Sequence, residues 1–396
     1  MDTVYKDSTK RNVALLAACQ ALLFTNNSTL IAINGLAGLA LAPYIGLATL
    51  PVTFWVLGGA IGTMPASLHM KRVGRQRGLT TGTLWGIVGA LICASAIWAQ
   101  SFWLLCFGTM VFGVYNAYGQ YYRFAAADVA SGDFKPVAIS LVLAGGLVGG
   151  ILGPTSSRWT IGLLSPKFLA AYLVLIGFAV ITMLLLRLIR IPTPSAAEQS
   201  AAGRPLREIV AQPKFVVAVL AGAIGYGVMN FLMTSTPIAM QVCGHPYSDA
   251  AFVISSHIIG MFAPSFVTGP LIKRVGVLPV MFAGVLFNLG AIATALSGIA
   301  VAQFWFSLVL LGVGWNFLYL GGTTLLTETY RPEERARAQG TNEQAIFIMM
   351  AISSFTSGMT VTTAGWARVN LLALPLVAIV GIALLWYAFR KQKAMA

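Results

Sequence analysis

The sequence predicts an all-α membrane protein of twelve transmembrane helices arranged as two six-helix repeats. Two observations predict the membrane class. Of the 396 residues, 58% are hydrophobic and only 9% are charged, whereas a soluble domain carries roughly 25% charged residues to cover its surface in water. Apolar stretches of about 20 residues recur from Asn12 to Arg390. Each is long enough to cross ~30 Å of hydrocarbon as a helix, which satisfies its own backbone polar groups.

The basic residues follow the predicted spans and set the topology. With the N-terminus inside, 21 of the 25 Lys and Arg residues fall in cytoplasmic segments, which is the positive-inside pattern and places both termini in the cytoplasm. The net charge of +14 therefore reports orientation in a lipid bilayer, and no nucleic-acid partner is expected. The predicted spans are 13–34, 43–67, 79–99, 101–125, 136–160, 168–190, 214–240, 249–272, 277–299, 302–328, 338–364 and 368–389.

A polar segment divides the spans into six and six. Its prolines, small residues and charges predict a cytoplasmic linker over 191–213, between an N-terminal bundle over 1–190 and a C-terminal bundle over 214–396. The halves repeat short motifs in order: Lys71-Arg72-Val73-Gly74 returns as Lys273-Arg274-Val275-Gly276, and Asn116 returns as Asn316. Two six-helix repeats around a midplane site are typical of alternating-access carriers.

These motifs give the chain a resemblance to the major facilitator superfamily over its whole length. In that family the loop after the second span carries Gly-x-x-x-Asp-(Arg/Lys)-x-Gly-(Arg/Lys)-(Arg/Lys). The chain matches at Arg72, Gly74 and Arg75, but Ser67 replaces the first glycine and Lys71 replaces the aspartate. The resemblance implies the major facilitator fold, with the family's charged latch altered at the acidic position.

The intramembrane chemistry is concentrated in spans seven and eight. Met229 and Met233 are four residues apart in span seven, and His257 and Met261 are four apart in span eight. A spacing of four puts both members of a pair on one helical face. Spans seven and eight should run antiparallel, with residue 245 in the outer loop between them. Met233 and His257 are equally far from residue 245 along the chain, and so are Met229 and Met261. Met233 should therefore lie level with His257, and Met229 level with Met261.

Three thioethers and one imidazole at matched depth form a soft, uncharged ligand set. Such a set favours Cu(I) over hard cations, and an ionisable residue inside a membrane by default marks function. Methionine is also a common filler of apolar helices. The residues alone thus leave two interpretations open, a copper site or a hydrogen-bonded cavity histidine beside ordinary core methionines.

The paired motifs resemble those of the CcoA-type copper importers of bacterial inner membranes, a branch of the same superfamily. The match covers Met229, Met233, His257 and Met261, so the resemblance implies that these four residues bind copper. It further implies copper import in support of cbb-type cytochrome oxidase assembly. Copper is then the transported substrate, no cofactor is expected, and copper chaperones in the periplasm or cytoplasm are the expected partners.

The alternative substrate is a flat heterocycle such as riboflavin, because close relatives of this branch resemble riboflavin carriers. Polar and aromatic residues suited to a flavin occur in two spans, and we expect them to face a central cavity. They are Thr25, Asn26, Asn27 and Ser28 in span one and Tyr115, Asn116, Tyr118 and Gln120 in span four.

Other interpretations concern the remaining polar residues and other classes of protein. Met240, Cys243 and His245 at the outer end of span seven form either a metal relay or an ordinary helix end. Arg123 lies near the cytoplasmic end of span four, where its side chain is expected to snorkel. A membrane sensor or assembly factor is a distant alternative, since no soluble domain of useful size is present. The sequence contains no set of side chains typical of a catalytic site, so an enzyme is not expected.

Overall fold

The computed structural model describes residues 2–44, 47–191 and 203–395, and every regular element in these ranges is helical. The predicted fold class is confirmed. Contacts divide the chain into two compact units, one of Met1–Ser131 with Leu141–Ala201 and one of Gly132–Ser140 with Ala202–Ala396. Residues 192–202 of the predicted linker lie outside the described residues.

The described residues of the first unit form five long helices, most of a sixth and one short helix. The helix α4 and the short α5 together form the predicted fourth span, which breaks at Gln120 and Tyr121. Within the unit, α4 packs between α2 and α3, and α7 packs against α1 and α3. The helices are α1 (Asp2–Leu41), α2 (Leu50–Val73), α3 (Arg75–Trp98), α4 (Phe102–Gly119), α5 (Tyr122–Val129), α6 (Lys135–Thr160) and α7 (Leu169–Leu188).

The second unit repeats this construction. Its helices are α8 (Leu206–Val210), α9 (Pro213–Val242), α10 (Tyr247–Phe262), α11 (Ser265–Val275), α12 (Val277–Leu296), α13 (Val301–Leu326) and α14 (Arg335–Met395). The helices α10 and α11 form one predicted span. The helix α14 contains two, separated by Gly365 with its positive φ of 78°. The helix α9 packs against α10, α13 and α14.

Ten helical segments of the described chain are long and apolar enough to cross a membrane. One of them runs over Pro332–Lys393 and therefore holds the predicted spans eleven and twelve. The helix α2 is not among the ten, because its glycines, threonines and prolines lower its mean hydropathy. Length and composition thus agree with a multi-pass membrane protein of about twelve spans.

The glycines of α6 bring that helix into close contact with α1. A Cβ added at Gly149 would lie 2.7 Å from both the carbonyl oxygen of Ala21 and the amide nitrogen of Thr25. One turn further, the Thr29 hydroxyl donates a hydrogen bond to the Gly153 carbonyl at 3.0 Å. Glycines allow this approach because they place no side chain between the two helix backbones.

The repeated basic motif forms a tight turn in each unit. Gly74, with φ of 88°, joins α2 to α3, and Gly276, with φ of 90°, joins α11 to α12. A positive φ is a conformation that glycine adopts without steric cost. Although Lys71 occupies the acidic position of the motif, the first turn has an acid partner from elsewhere. The Nε of Arg75 lies 2.9 Å from a carboxylate oxygen of Asp128 at the end of α5.

An ion pair between half-buried Arg204 and buried Glu334 holds the end of the linker against the loop before α14. Arg204 donates from Nε to one carboxylate oxygen of Glu334 at 2.8 Å and from Nη2 to the other at 2.7 Å. The guanidinium lowers the pKa of Glu334 from its ordinary 4.5 to about 2. Stabilisation by this pair is therefore complete above pH 4.5 and is lost progressively as the pH falls from 4.5 through about 2.

Candidate functional site

His257 is fully buried on α10, where α13 fixes its ring. Its Nδ1 lies 2.6 Å from the carbonyl oxygen of Leu308. A carbonyl oxygen only accepts, so Nδ1 carries the proton and Nε2 keeps a lone pair in the neutral ring. Within the described part of the chain, the buried Nε2 has no hydrogen-bond partner. A buried acceptor without a donor is rare, and this is the tautomer of a histidine that binds metal through Nε2.

Glycines let α10 and α13 approach each other beside this ring. A Cβ at Gly312 would lie 2.8 Å from the carbonyl oxygen of His257 and 2.8 Å from the amide nitrogen of Met261. A Cβ at Gly260 would lie 2.9 Å from the Val309 carbonyl oxygen. The backbone of α13 therefore fixes the positions of both α10 residues predicted to bind metal.

Asn316 holds the chain just beyond Met261. Its Nδ2 donates to the Met261 carbonyl oxygen at 2.7 Å and to Ser265 Oγ at 2.6 Å, and its Oδ1 accepts from Thr268 at 2.8 Å. The amide thus bridges the end of α10 and the start of α11. The sequence had indicated Asn316 only as the repeat counterpart of Asn116.

The two predicted ligands of span seven lie on α9. Met229 is 2% exposed and Met233 is half-buried, while Met261 on α10 is 6% exposed. Between Met229 and Met233 in the sequence, Asn230 donates from Nδ2 to the hydroxyls of Ser353 and Ser354 on α14, both at 2.9 Å. The structure thus unites His257 and Met261 against α13 and places Met229 and Met233 on a neighbouring helix.

No group of three or more His, Cys, Asp or Glu side chains in the described ranges is placed to hold a metal ion. A metal site among these residues would therefore rely on methionine sulfur together with His257. The residues at the end of α9 and in the loop after it make other contacts. Met240 is fully buried and Cys243 is half-buried. His245 Nε2 lies 2.7 Å from the Ile299 carbonyl oxygen, so this histidine joins the loop after α9 to the loop after α12.

An aromatic cluster adjoins the methionines of the second unit. The rings of Trp315 and Tyr319 on α13 are stacked, with centroids 4.8 Å apart and planes at 17°. Tyr226 of α9 meets Trp315 edge-on at 5.6 Å, and so does Phe262 of α10 at 5.7 Å. Tyr226 is half-buried, so part of its ring is exposed.

The polar residues predicted to line a cavity in the first unit are mostly buried inside it. Asn27 Nδ2 donates to Asn116 Oδ1 at 2.8 Å, and Gln120 Nε2 donates to the same oxygen at 3.1 Å. Thr25, Asn26 and Tyr115 have no exposed surface. The expectation that all of these residues face a cavity is therefore wrong for Thr25, Asn26 and Tyr115, which pack between helices.

Arg123 also differs from its expectation. It does not snorkel to the membrane surface but is 2% exposed. The break between α4 and α5 frees the backbone carbonyl oxygen of Gln120, which accepts from Arg123 Nη1 at 2.7 Å. The guanidinium also lies over the ring of Phe124 at 4.6 Å. No sequence signal marks this helix break, because its residues are as compatible with a helix as their neighbours.

The family model described as the Major Facilitator Superfamily matches residues 15–287 and 238–396. The chain belongs to the major facilitator superfamily. It is similar to the riboflavin transporter RfnT of Brucella anthropi, with 39% identity over 381 residues, 95% of each chain. It is also similar to an uncharacterized transporter of this superfamily, YddS of Bacillus subtilis, with 26% identity over 88% of this chain and 84% of the relative.

Solved structures of other transporters share the fold. The transporter FucP in the outward conformation superposes with a TM-score of 0.80 at 16% identity, covering 96% of this chain and 99% of FucP. A bacterial homologue of the iron transporter ferroportin in an outward-facing state gives 0.74 at 12% identity, covering 95% of this chain and 99% of the homologue. Family and fold together establish a secondary transporter.

Proposed function

We propose that this transporter imports copper across the bacterial inner membrane by alternating access and supplies it for cytochrome oxidase assembly. The distribution of basic residues supports a cytoplasmic position for both termini. Met229, Met233, His257 and Met261 are the proposed ligands. The proposal is carried by one observation, the buried His257 ring whose Nδ1 is committed to Leu308 and whose Nε2 has no hydrogen-bond partner among the described residues.

The chemistry of the ligand set supports copper over harder metals. Thioether sulfur and imidazole nitrogen are soft or intermediate donors that select Cu(I). All four are neutral, so a bound Cu(I) leaves only one positive charge in a site of low dielectric. Thioethers also bind weakly enough for a carrier to release its cargo.

Copper uptake into proteoliposomes tests this function. The double variant His257→Leu, Met233→Leu removes two ligands while keeping apolar side chains of similar size. Uptake of radioactive copper should fall at least about tenfold, since even changes around a ligand cost ~10–100-fold in metal affinity. Met281→Leu is the matched control, because Met281 is fully buried on α12 and outside the proposed site. Full copper uptake by the double variant at equal protein level would exclude the metal site.

Riboflavin is the second candidate substrate, and the comparisons support it better than copper. The relative with 39% identity is named as a riboflavin transporter. The cluster of Tyr226, Trp315 and Tyr319 offers aromatic faces of the kind on which an isoalloxazine ring stacks. Uptake of labelled riboflavin should be measured in the same proteoliposomes.

The two candidates give opposite results in that comparison. If riboflavin is the substrate, Tyr226→Leu should abolish riboflavin uptake, whereas the control Trp103→Leu, at a side chain 59% exposed, should leave it unchanged. Saturable riboflavin uptake without copper uptake would replace the copper proposal. Copper uptake that depends on His257, with no riboflavin uptake, would support it.

A further inference from the structure

Asn230 is a buried asparagine on α9 whose amide is held by α14. It is 9% exposed and lies three residues from the centre of the predicted span 214–240, which is roughly 5 Å along the helix. Its Nδ2 donates to the hydroxyls of Ser353 and Ser354, both at 2.9 Å, and to the Met350 carbonyl oxygen at 3.3 Å. None of these hydrogen bonds uses Oδ1.

The partners of this amide determine which of its two polar atoms faces α14. The Met350 carbonyl oxygen only accepts, so the atom of Asn230 beside it must be Nδ2. The Ser353 hydroxyl donates to the same carbonyl oxygen at 3.0 Å, so this hydroxyl accepts from the amide. Oδ1 is therefore held on the other side of the amide. In the described part of the chain it accepts no hydrogen bond.

Tyr226, Asn230 and Thr234 form one stripe along α9, because they are four residues apart and their Cβ atoms are roughly 6 Å apart. Tyr226 and Thr234 are half-buried. The residues on the opposite side of the helix at this level are buried; they are Val228, Leu232 and Ser235. An amide oxygen that faced hydrocarbon without a donor would be costly. The stripe therefore faces a hydrated space and not lipid.

This stripe presents an aromatic ring, a hydrogen-bond acceptor and a hydroxyl along one face. The Tyr226 ring meets Trp315 and Tyr319 edge-on, each at 5.6 Å, and is held in place by them. The Oδ1 of Asn230 only accepts, and the Thr234 hydroxyl can donate. A planar ring with an N–H between two carbonyl groups, a cyclic imide, matches both polar groups, because it offers one donor with an acceptor on either side.

We propose that Asn230 and Thr234, together with the ring of Tyr226, form a binding subsite for a cyclic imide. The imide N–H donates to the Oδ1 of Asn230, the Thr234 hydroxyl donates to an adjacent imide carbonyl, and the ligand ring packs against Tyr226. The isoalloxazine ring of riboflavin carries such an imide at one end, so the inference rests on the second candidate function and names the groups that recognise that substrate. An amide oxygen suits hard cations rather than Cu(I), so copper does not account for this subsite.

Binding of riboflavin and of N3-methylriboflavin to the purified protein tests the subsite, with quenching of flavin fluorescence as the readout. The methyl group removes the imide donor. The wild type should therefore bind riboflavin at least about tenfold more tightly, since a buried acceptor left without its donor costs about that much. Asn230→Ala should bind the two flavins with nearly equal affinity, because it removes the acceptor and makes room for the methyl group. Asn288→Ala, at another buried asparagine on α12, is the matched control and should keep the wild-type preference.

The outcomes separate the subsite from the transported substrate. Equal binding of both flavins by the wild type, or a preference that persists in Asn230→Ala, would overturn the subsite even if proteoliposomes take up riboflavin. If riboflavin does not bind, lumichrome and its N3-methyl derivative are compared in the same way, because lumichrome has the imide without the ribityl chain. A preference for lumichrome that is lost in Asn230→Ala would support the subsite and exclude riboflavin as the substrate. No binding of either imide by the wild type would overturn the subsite.

Discussion

Two buried asparagines of the second unit differ in how their amide groups are used. Asn316 has both amide atoms in hydrogen bonds that join the end of α10 to the start of α11. Asn288 on α12 is 1% exposed, and neither of its amide atoms has a hydrogen-bond partner among the described residues. Removing a satisfied amide strands its partners, whereas removing an unsatisfied one relieves a desolvation cost.

Replacement by leucine should therefore affect the two positions differently. Asn316→Leu removes the donor to the Met261 carbonyl oxygen and the Ser265 hydroxyl, while Thr268 keeps its hydrogen bond to the Pro264 carbonyl oxygen. The variant should lower the free energy of unfolding by about 1–3 kcal/mol. It should also weaken uptake, because Met261 lies at the released end of α10. Asn288→Leu, the matched control, should change stability by less than ~1 kcal/mol. Thermal unfolding in detergent measures both, and equal losses would contradict this account of the two amides.

The sequence indicated individual residues of the site but not their surroundings. Spacing alone selected Met229, Met233, His257 and Met261 as candidates, and their roles remain predictions. It could not indicate that Leu308 accepts from the imidazole, because that carbonyl lies 51 residues away on another helix. For the same reason the sequence could not indicate the complete burial of Glu343, which depends on packing between helices.

Among helices, the approach of α6 to α1 depends on glycine at successive turns. Gly145, Gly149 and Gly153 each have backbone or Cβ atoms of α1 within the space that a side chain would occupy. A Cβ added at Gly177 on α7 would instead have no atom of a neighbouring residue within 4 Å. Glycine is thus required by packing on one helix and not on the other.

Adding a methyl group should distinguish these two glycines. Gly149→Ala would force the α1 backbone away from α6, because neither the Ala21 carbonyl oxygen nor the Thr25 amide can rotate aside. Overpacking of this kind costs about 1–3 kcal/mol. Gly177→Ala should be neutral or stabilising, since alanine favours the helix by up to ~1 kcal/mol over glycine. The unfolding midpoints of the two variants in detergent measure the difference. A Gly149→Ala variant as stable as the wild type would show that α6 can move outward freely.

Helices were easier to predict than their interruptions. Long apolar stretches fix the existence of spans because only a helix satisfies the backbone in lipid. The break at Gln120 and Tyr121 leaves hydropathy unchanged over the window of a span, so it could not be predicted. The break after Phe262 is followed by Pro264, which lacks an amide proton for a helix interior. This break could have been predicted from Pro264, although the predicted span 249–272 continued through it.

At the scale of the whole molecule, the repeat and the basic residues predict the same membrane topology. Gly74 and Gly276 adopt nearly the same positive φ in the two units, and each follows a Lys-Arg pair at the end of a helix. If the two halves are parallel repeats, as the sequence predicts, we expect equivalent turns to lie on the same side of the membrane. Basic residues at these turns favour the cytoplasmic side.

Cysteine labelling tests this topology directly. Arg72 and Arg274 are exposed members of the two motifs, so Arg72→Cys and Arg274→Cys should accept a membrane-impermeant maleimide without disturbing packing. Cys243→Ser supplies the background, because Cys19, Cys93 and Cys106 are buried while Cys243 is half-buried. Both cysteines should be labelled in inside-out vesicles and protected in intact spheroplasts.

Ala99→Cys, at an exposed position in the predicted outer loop between α3 and α4, should show the reverse pattern and so verify the orientation of each preparation. Labelling of the two motif cysteines from opposite sides would contradict a parallel repeat, and labelling of both only from outside would place the termini in the periplasm.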